Sequence, residues 1–260
     1  MGALAETKSS SRIVLWGAVV GVATLIIYLL ATRGEGFQTA RSVFMVVMFT
    51  AIGVATGAAV GSQGVIGRWS TWESVLAAIL SGAVGVLFFA WGLTIWKLTG
   101  VLEVAVPAYG IALHDLFYGF WFLAAALVPY IVRKPGAAVA AETVAAVISM
   151  LLGSEWGMAV LITGLVQGGL AEVVFAARGY RHYDLLTLAL ASVAAALGSW
   201  VVDYAFWYNT LVPSVLILML LARFLSAAIF SGLLGKWIGD ALAATGVLDN
   251  TALGRARMEG

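Results

Sequence analysis

The sequence predicts an all-α polytopic membrane protein of about eight spans at roughly 20 residues each. Of its 260 residues, 62% are hydrophobic and only 10% are charged, whereas soluble domains carry about a quarter charged residues. Mean hydropathy is +1.02. Long apolar runs recur along the chain, separated by short polar breaks. The formal net charge of +1 and the lack of a long basic run give no footprint for nucleic acid. Absence of cysteine removes disulfides, thiolate chemistry and Cys-based metal sites. His114 and His182 are too few and too far apart to build a metal site by themselves. No phosphate-binding glycine loop, dinucleotide fingerprint or nucleophile elbow occurs, so no cofactor and no nucleotide-hydrolysing machinery is expected within the chain.

Residues 1–12 are polar and end basic, a cytoplasmic start. Ile13 to Thr32 is too long for a signal-peptide core and lacks a clean cleavage site, so it reads as a retained span. Val43 to Ser62 is the second span, and its Gly53, Gly57, Gly61 ladder answers Gly17 and Gly21 on the first. Such ladders let two helix backbones approach closely. The Gly-rich connection that follows is the expected internal boundary, giving an extension over 1–66, a core over 67–248 and a polar, disordered tail over 249–260.

The third span runs from Ser74 to Trp96 and carries two small pairs four apart, Ala78 with Gly82 and Ser81 with Gly85. Lys97 to Pro107 reads as an external loop, Tyr109 to Val132 as the fourth span, and Pro135 opens a short fifth span ending at Leu152. The sixth lies within Gly153–Tyr183, and its Gly164 and Gly168 form another close-approach step. Asp184 to Tyr208 is the seventh, and Pro213 opens an eighth that reaches about Trp237 and bends at Gly235 and Gly239. With the N-terminus inside, ten Lys and Arg face the cytoplasm and three face outward, which places both termini in the cytoplasm of a multi-pass cell-membrane protein.

Polar side chains inside hydrocarbon are costly unless they face a partner or a cavity. On this topology the outer half of the bundle collects His114, Asp115 and Tyr118 from the fourth span and Glu155 and Trp156 from an outer turn. The same half holds Thr163 and Gln167, Asp203, Tyr204 and Trp207, and Trp91. Thr163 and Gln167 are four apart and share a helix face. Carboxylates beside Trp and Tyr suit a small aromatic cation, which stacks on rings while amides read its hydrogen-bonding edges. For any single aromatic the competing reading is an interfacial belt. Glu142 and Glu172 lie nearer the cytoplasm, and one of them is expected either to bind ligand or to neutralise Arg223. His114 reads either as a ligand contact or as a core histidine.

From about Trp69 to Leu248 the chain resembles the YkoE family, the thiamine-type S components of energy-coupling factor (ECF) transporters. The resemblance rests on RKPGAAVAAETVAAV (Arg133–Val147), GSEWGMAVLITGLVQGGLAEVVFA (Gly153–Ala176) and GLLGKWIGDALAATGVL (Gly232–Leu248). It implies a six-helix S component, here preceded by a two-helix transmembrane hairpin. It further implies capture of thiamine or its hydroxymethylpyrimidine precursor on the outer side, and assembly with a transmembrane T component and two cytoplasmic ATPases. Glu142, Gln167 and Glu172 then correspond to the family's acidic and amide positions. Ala78 with Gly82, or Ser81 with Gly85, would supply the small-residue surface that meets the T component. A stand-alone secondary transporter would need coupling ions and usually an internal repeat, and no convincing repeat is present. An intramembrane enzyme finds no nucleophile–base motif.

Overall fold

The computed structural model describes residues 69–106 and 109–259, so the expected N-terminal hairpin lies outside the described residues. Every regular element among the described residues is helical. We label them α1 (Thr71–Ala105), α2 (Gly110–Val132), α3 (Ala137–Leu151), α4 (Ala159–Ala177), α5 (Leu185–Tyr208), α6 (Pro213–Ala244) and α7 (Ala252–Glu259). Five of these, α1, α2, α4, α5 and α6, are long and apolar enough to cross a membrane, and α3 is a shorter apolar helix.

Local chemistry sets the helix starts. A capping box opens α1, with the Glu73 N–H donating to Ser70 Oγ at 3.1 Å and the Ser70 N–H donating to Glu73 at 2.9 Å. The Asp184 side chain accepts from the Thr187 N–H at 2.8 Å and caps α5. Pro213 opens α6, where its missing N–H costs nothing. The turn between α2 and α3 uses Arg133 and Gly136 in left-handed conformation and is tied to the start of α1. There Trp69 Nε1 donates to Pro135 O at 3.1 Å and Lys134 pairs with Glu73 at 3.1 Å.

Helices α1, α3, α4, α5 and α6 succeed one another in contact, and α2 packs against each of them. The inner half of α2, Leu123–Val132, is buried at every residue. Large apolar side chains such as Ile79, Leu221 and Leu225 point outward, as lipid-facing surface must. Close approach is achieved where the sequence has glycine. A Cβ on Gly85 would meet Ala145 O at 2.7 Å, and one on Gly168 would meet Ala138 O at 2.8 Å, so α3 is clasped between α1 and α4.

Two expectations are corrected. The Lys97–Pro107 stretch is helical as far as Ala105, so α1 continues past the expected loop. Tertiary contacts hold it there: His114 Nδ1 lies 2.5 Å from Glu103 Oε1 and its Nε2 lies 2.9 Å from Trp96 O. The C-terminal tail is not disordered either. It turns back as α7 and buries Leu253, and Arg257 donates to Asp240 O at 3.2 Å. Its few apolar residues suffice because they seat on α2 and α6. The irregularity of α6 is a π-helical stretch over Ala228–Leu233, ahead of the two glycines expected to bend it.

Candidate functional site

Three helices lose regular α geometry at the same end of the bundle. The stretches are the π-helical Gly92–Trp96 of α1, the 3-10 stretch Asp115–Phe122 of α2 and the π-helical Tyr204–Tyr208 of α5. Such departures re-aim side chains and recur at functional sites. Here they surround a cavity of about 230 Å³. Trp96 and Phe88 come from α1, Tyr118 and Trp121 from α2, Glu142 and Ser149 from α3. Thr163 and Gln167 come from α4, Asp203, Trp207 and Tyr208 from α5, and Trp156 from the α3–α4 loop.

Tryptophans build one wall. Trp96 meets Trp121 edge-on at 4.7 Å between centroids, and Trp121 meets Trp156 at 5.1 Å in the same manner. Trp156 rides on a loop bounded by Gly153 and Gly157, both at positive φ, and Glu155 beside it pairs with Lys97 at 3.6 Å. The charged residues lining the cavity are Glu142 and Asp203, both acids. Glu142 is 1% exposed and accepts the Ala125 N–H through Oε2 at 2.8 Å. That donor sits just past the junction where α2 changes from 3-10 to α geometry, a change that interrupts the regular hydrogen-bond ladder. Oε1 takes no hydrogen bond from another described residue and is left for the cavity.

Behind Asp203 lies a buried ionic cluster. Arg223 is fully buried; its Nε and Nη2 each donate to Asp115 at 3.0 Å. Its Nη1 donates to Asp203 at 2.6 Å and to Ser199 Oγ at 3.0 Å. The Tyr118 ring lies over the guanidinium at 3.7 Å. Among the described residues no group of three or more His, Asp or Glu is arranged to hold a metal ion.

Comparison with known proteins bears on this architecture. Residues 72–198 match a family described as the permease component of an ABC-type cobalt transport system. YkoE of Bacillus subtilis strain 168, named as an HMP/thiamine permease protein, is 35% identical over 188 residues, covering 72% of this chain and 91% of YkoE. A crystal structure of an S-component of an ECF transporter superimposes with a TM-score of 0.68 at 34% identity, covering 74% of this chain and 94% of that one. The chain belongs to the YkoE family of ECF S components.

In this S component, Glu142, Trp156, Gln167, Tyr118, Asp203 and Trp207 from the sequence reading meet at the cavity. Three other candidates lie outside its lining. Glu172 accepts the N–H groups of Gly136 at 2.6 Å and of Ala138 at 2.9 Å, and so caps α3 from the neighbouring helix. His114 is held between Glu103 and Trp96 as a core histidine. Trp91 stacks on Phe120 at 4.3 Å and donates to Phe117 O at 3.1 Å. Arg223 is neutralised by Asp115 and Asp203, not by Glu142 or Glu172. The sequence reading missed Trp96, Phe88, Ser149 and Tyr208. Trp121 was visible three residues from Tyr118, but Trp96 is aimed inward by a π turn that no spacing rule announces. Of the small pairs on α1, Ser81 and Gly85 are buried, with Gly85 against α3. Ala78 is exposed and Gly82 has open space where a side chain would project.

Proposed function

We propose that this S component captures thiamine, or its hydroxymethylpyrimidine precursor, on the outer side of the cell membrane for ATP-driven uptake. The observation that carries the reading is a tryptophan-walled cavity whose charged lining side chains, Glu142 and Asp203, are both acidic. A ring cation gains from π-faces and from a desolvated carboxylate together. The volume of about 230 Å³ exceeds the roughly 150 Å³ in which a buried apolar cavity takes benzene, so it suits a substituted heteroaromatic ring. Gln167 and Thr163 offer amide and hydroxyl groups to ring nitrogens and amines. The name of the Bacillus subtilis relative supports the same ligand pair.

Energy must come from elsewhere, because the chain has no phosphate-binding motif. The reading therefore includes a transmembrane T component and two cytoplasmic ATPases, met through the outward pair Ala78 and Gly82. The same reading keeps the cytoplasmic side at the end where the basic turns with Arg133 and Lys134 and with Arg178 and Arg181 lie. Titrating purified full-length protein with thiamine and with hydroxymethylpyrimidine tests the reading by calorimetry and by quenching of tryptophan emission. Saturable heat and quenching with at least one of them is the expected result. Silence with both, in protein that melts cooperatively, overturns it.

A further inference from the structure

Asp203 faces the cavity on one side and Arg223 on the other. Arg223 does not line the cavity, nor does Asp115, which grips the guanidinium through both carboxylate oxygens. Such a bidentate pair satisfies the arginine's charge by itself. Asp203 is then a second carboxylate on a guanidinium already matched, bound by one hydrogen bond from Nη1. With one guanidinium and two carboxylates ionised, the cluster carries one net negative charge. Every atom of Arg223 is buried, so water does not dissipate that surplus. Its nearest route to a ligand is through Asp203.

We infer that Asp115 and Arg223 are positioning residues that set the charge of the ligand site: Asp115 takes up the guanidinium's charge, so that Asp203 is held in place by Arg223 and still presents a negative charge to the cavity. The cavity thereby selects a cation over an uncharged molecule of the same shape. Tyr118 is fixed by the same device, since its ring rests on the guanidinium while lining the cavity. A simple Arg223–Asp203 pair would hold the same geometry and present no charge. Two aspartates without the arginine would repel each other in a water-poor core. The inference rests on the reading of the cavity as a site for a thiamine-like ligand.

The test compares thiamine with deazathiamine, its uncharged thiophene isostere, on full-length protein by calorimetry, with a melting curve for each variant. Wild type is expected to favour thiamine. Asp115→Asn makes the cluster neutral and should reduce the ratio of the two affinities by about tenfold, the effect of a unit charge some way from the ligand at an intermediate dielectric. The double variant Asp115→Asn, Arg223→Gln regains one negative charge, on Asp203, and should restore the ratio towards wild type although more of the cluster has been altered. A merely structural role moves both affinities by the same factor and leaves the ratio unchanged, which overturns the inference. So does a double variant whose ratio falls further than that of the single one. If Asp115→Asn does not fold, the double variant decides alone: its ratio must match wild type. Failure of wild type to bind either compound removes the underlying reading, and this inference with it.

Discussion

Glu142 and Glu172 are the same residue type on adjacent helices, both 1% exposed, yet their oxygens meet different partners. Both oxygens of Glu172 take N–H groups at the start of α3. Glu142 uses one oxygen for Ala125 and leaves the other to the cavity. Glu142→Gln should therefore weaken thiamine binding by about 30-fold or more, since loss of a buried charge partner costs roughly 2–5 kcal/mol, with little change in melting temperature. Glu172→Gln turns an acceptor into a donor facing backbone N–H groups and should destabilise by about 1–3 kcal/mol, with affinity in the surviving fold nearly intact. Calorimetry and thermal unfolding on the two variants separate these outcomes; the reverse pattern sinks the assignment. Asp184 gives a pH test outside the spans. The Thr187 N–H that it accepts, aided by the Thr187 hydroxyl and Arg178, holds its carboxyl below the usual value. A depressed acid contributes stability that is present above its ordinary range and lost as pH falls through the lowered value. Asp184→Asn should lower the melting temperature at neutral pH, and the difference should vanish in strong acid.

Glycines on α1 differ in what faces them. Gly85 lies against the Ala145 carbonyl and Ile148, whereas Gly82 meets nothing within 4 Å. Gly85→Val should force α1 and α3 apart and cost about 1–3 kcal/mol or more, as overpacking does, lowering melting temperature and ligand binding together. Gly82→Leu should leave both unchanged in isolated protein while uptake in cells falls, because the added side chain occupies the surface proposed to meet a partner helix. A loss of stability in Gly82→Leu, or unimpaired uptake, would move the partner surface elsewhere. The same contrast explains why a small-xxx-small step is ambiguous on paper. It licenses close approach but does not say to which helix.

Across the whole molecule, charge and cavity are segregated. Arg133, Lys134, Arg178, Arg181 and Lys236 gather where α2, α4 and α6 turn or end, and the cavity opens among the far ends of α1, α3 and α5. The proposed capture from the outer side follows the positive-inside tendency, which would put the basic ends in the cytoplasm. The absence of cysteine makes this directly testable. Lys97→Cys and Arg181→Cys both place a thiol at an exposed position. An impermeant maleimide applied to intact cells should label the first at once and the second only after permeabilisation. Labelling in the opposite order would invert the topology and the proposed direction of capture.

Hydropathy and helix punctuation alone determined that the chain is a bundle of spanning helices, where most of them begin, and which acids and amides are too costly in hydrocarbon to be idle. Those properties are local, because each depends on a residue's own solvation or on neighbours within one turn. Hence Asp184 and Pro213 were legible as helix starts, and Glu142, Gln167 and Asp203 as buried polar groups with work to do, whereas the Ser70–Glu73 cap, four residues ahead of the expected start at Ser74, was not read. Only the tertiary structure decided which partner each buried charge would meet. Glu172 and Glu142 sit on adjacent helices and are equally buried, but one finds the open N-terminus of α3 and the other finds a cavity. Arg223 pairs with Asp115 and Asp203, 108 and 20 residues back along the chain, as no count of spacings reveals. Trp96 enters the cavity through a π turn, and α7 folds back onto α2, because contacts distant in sequence outweigh local propensity when they bury the groups concerned.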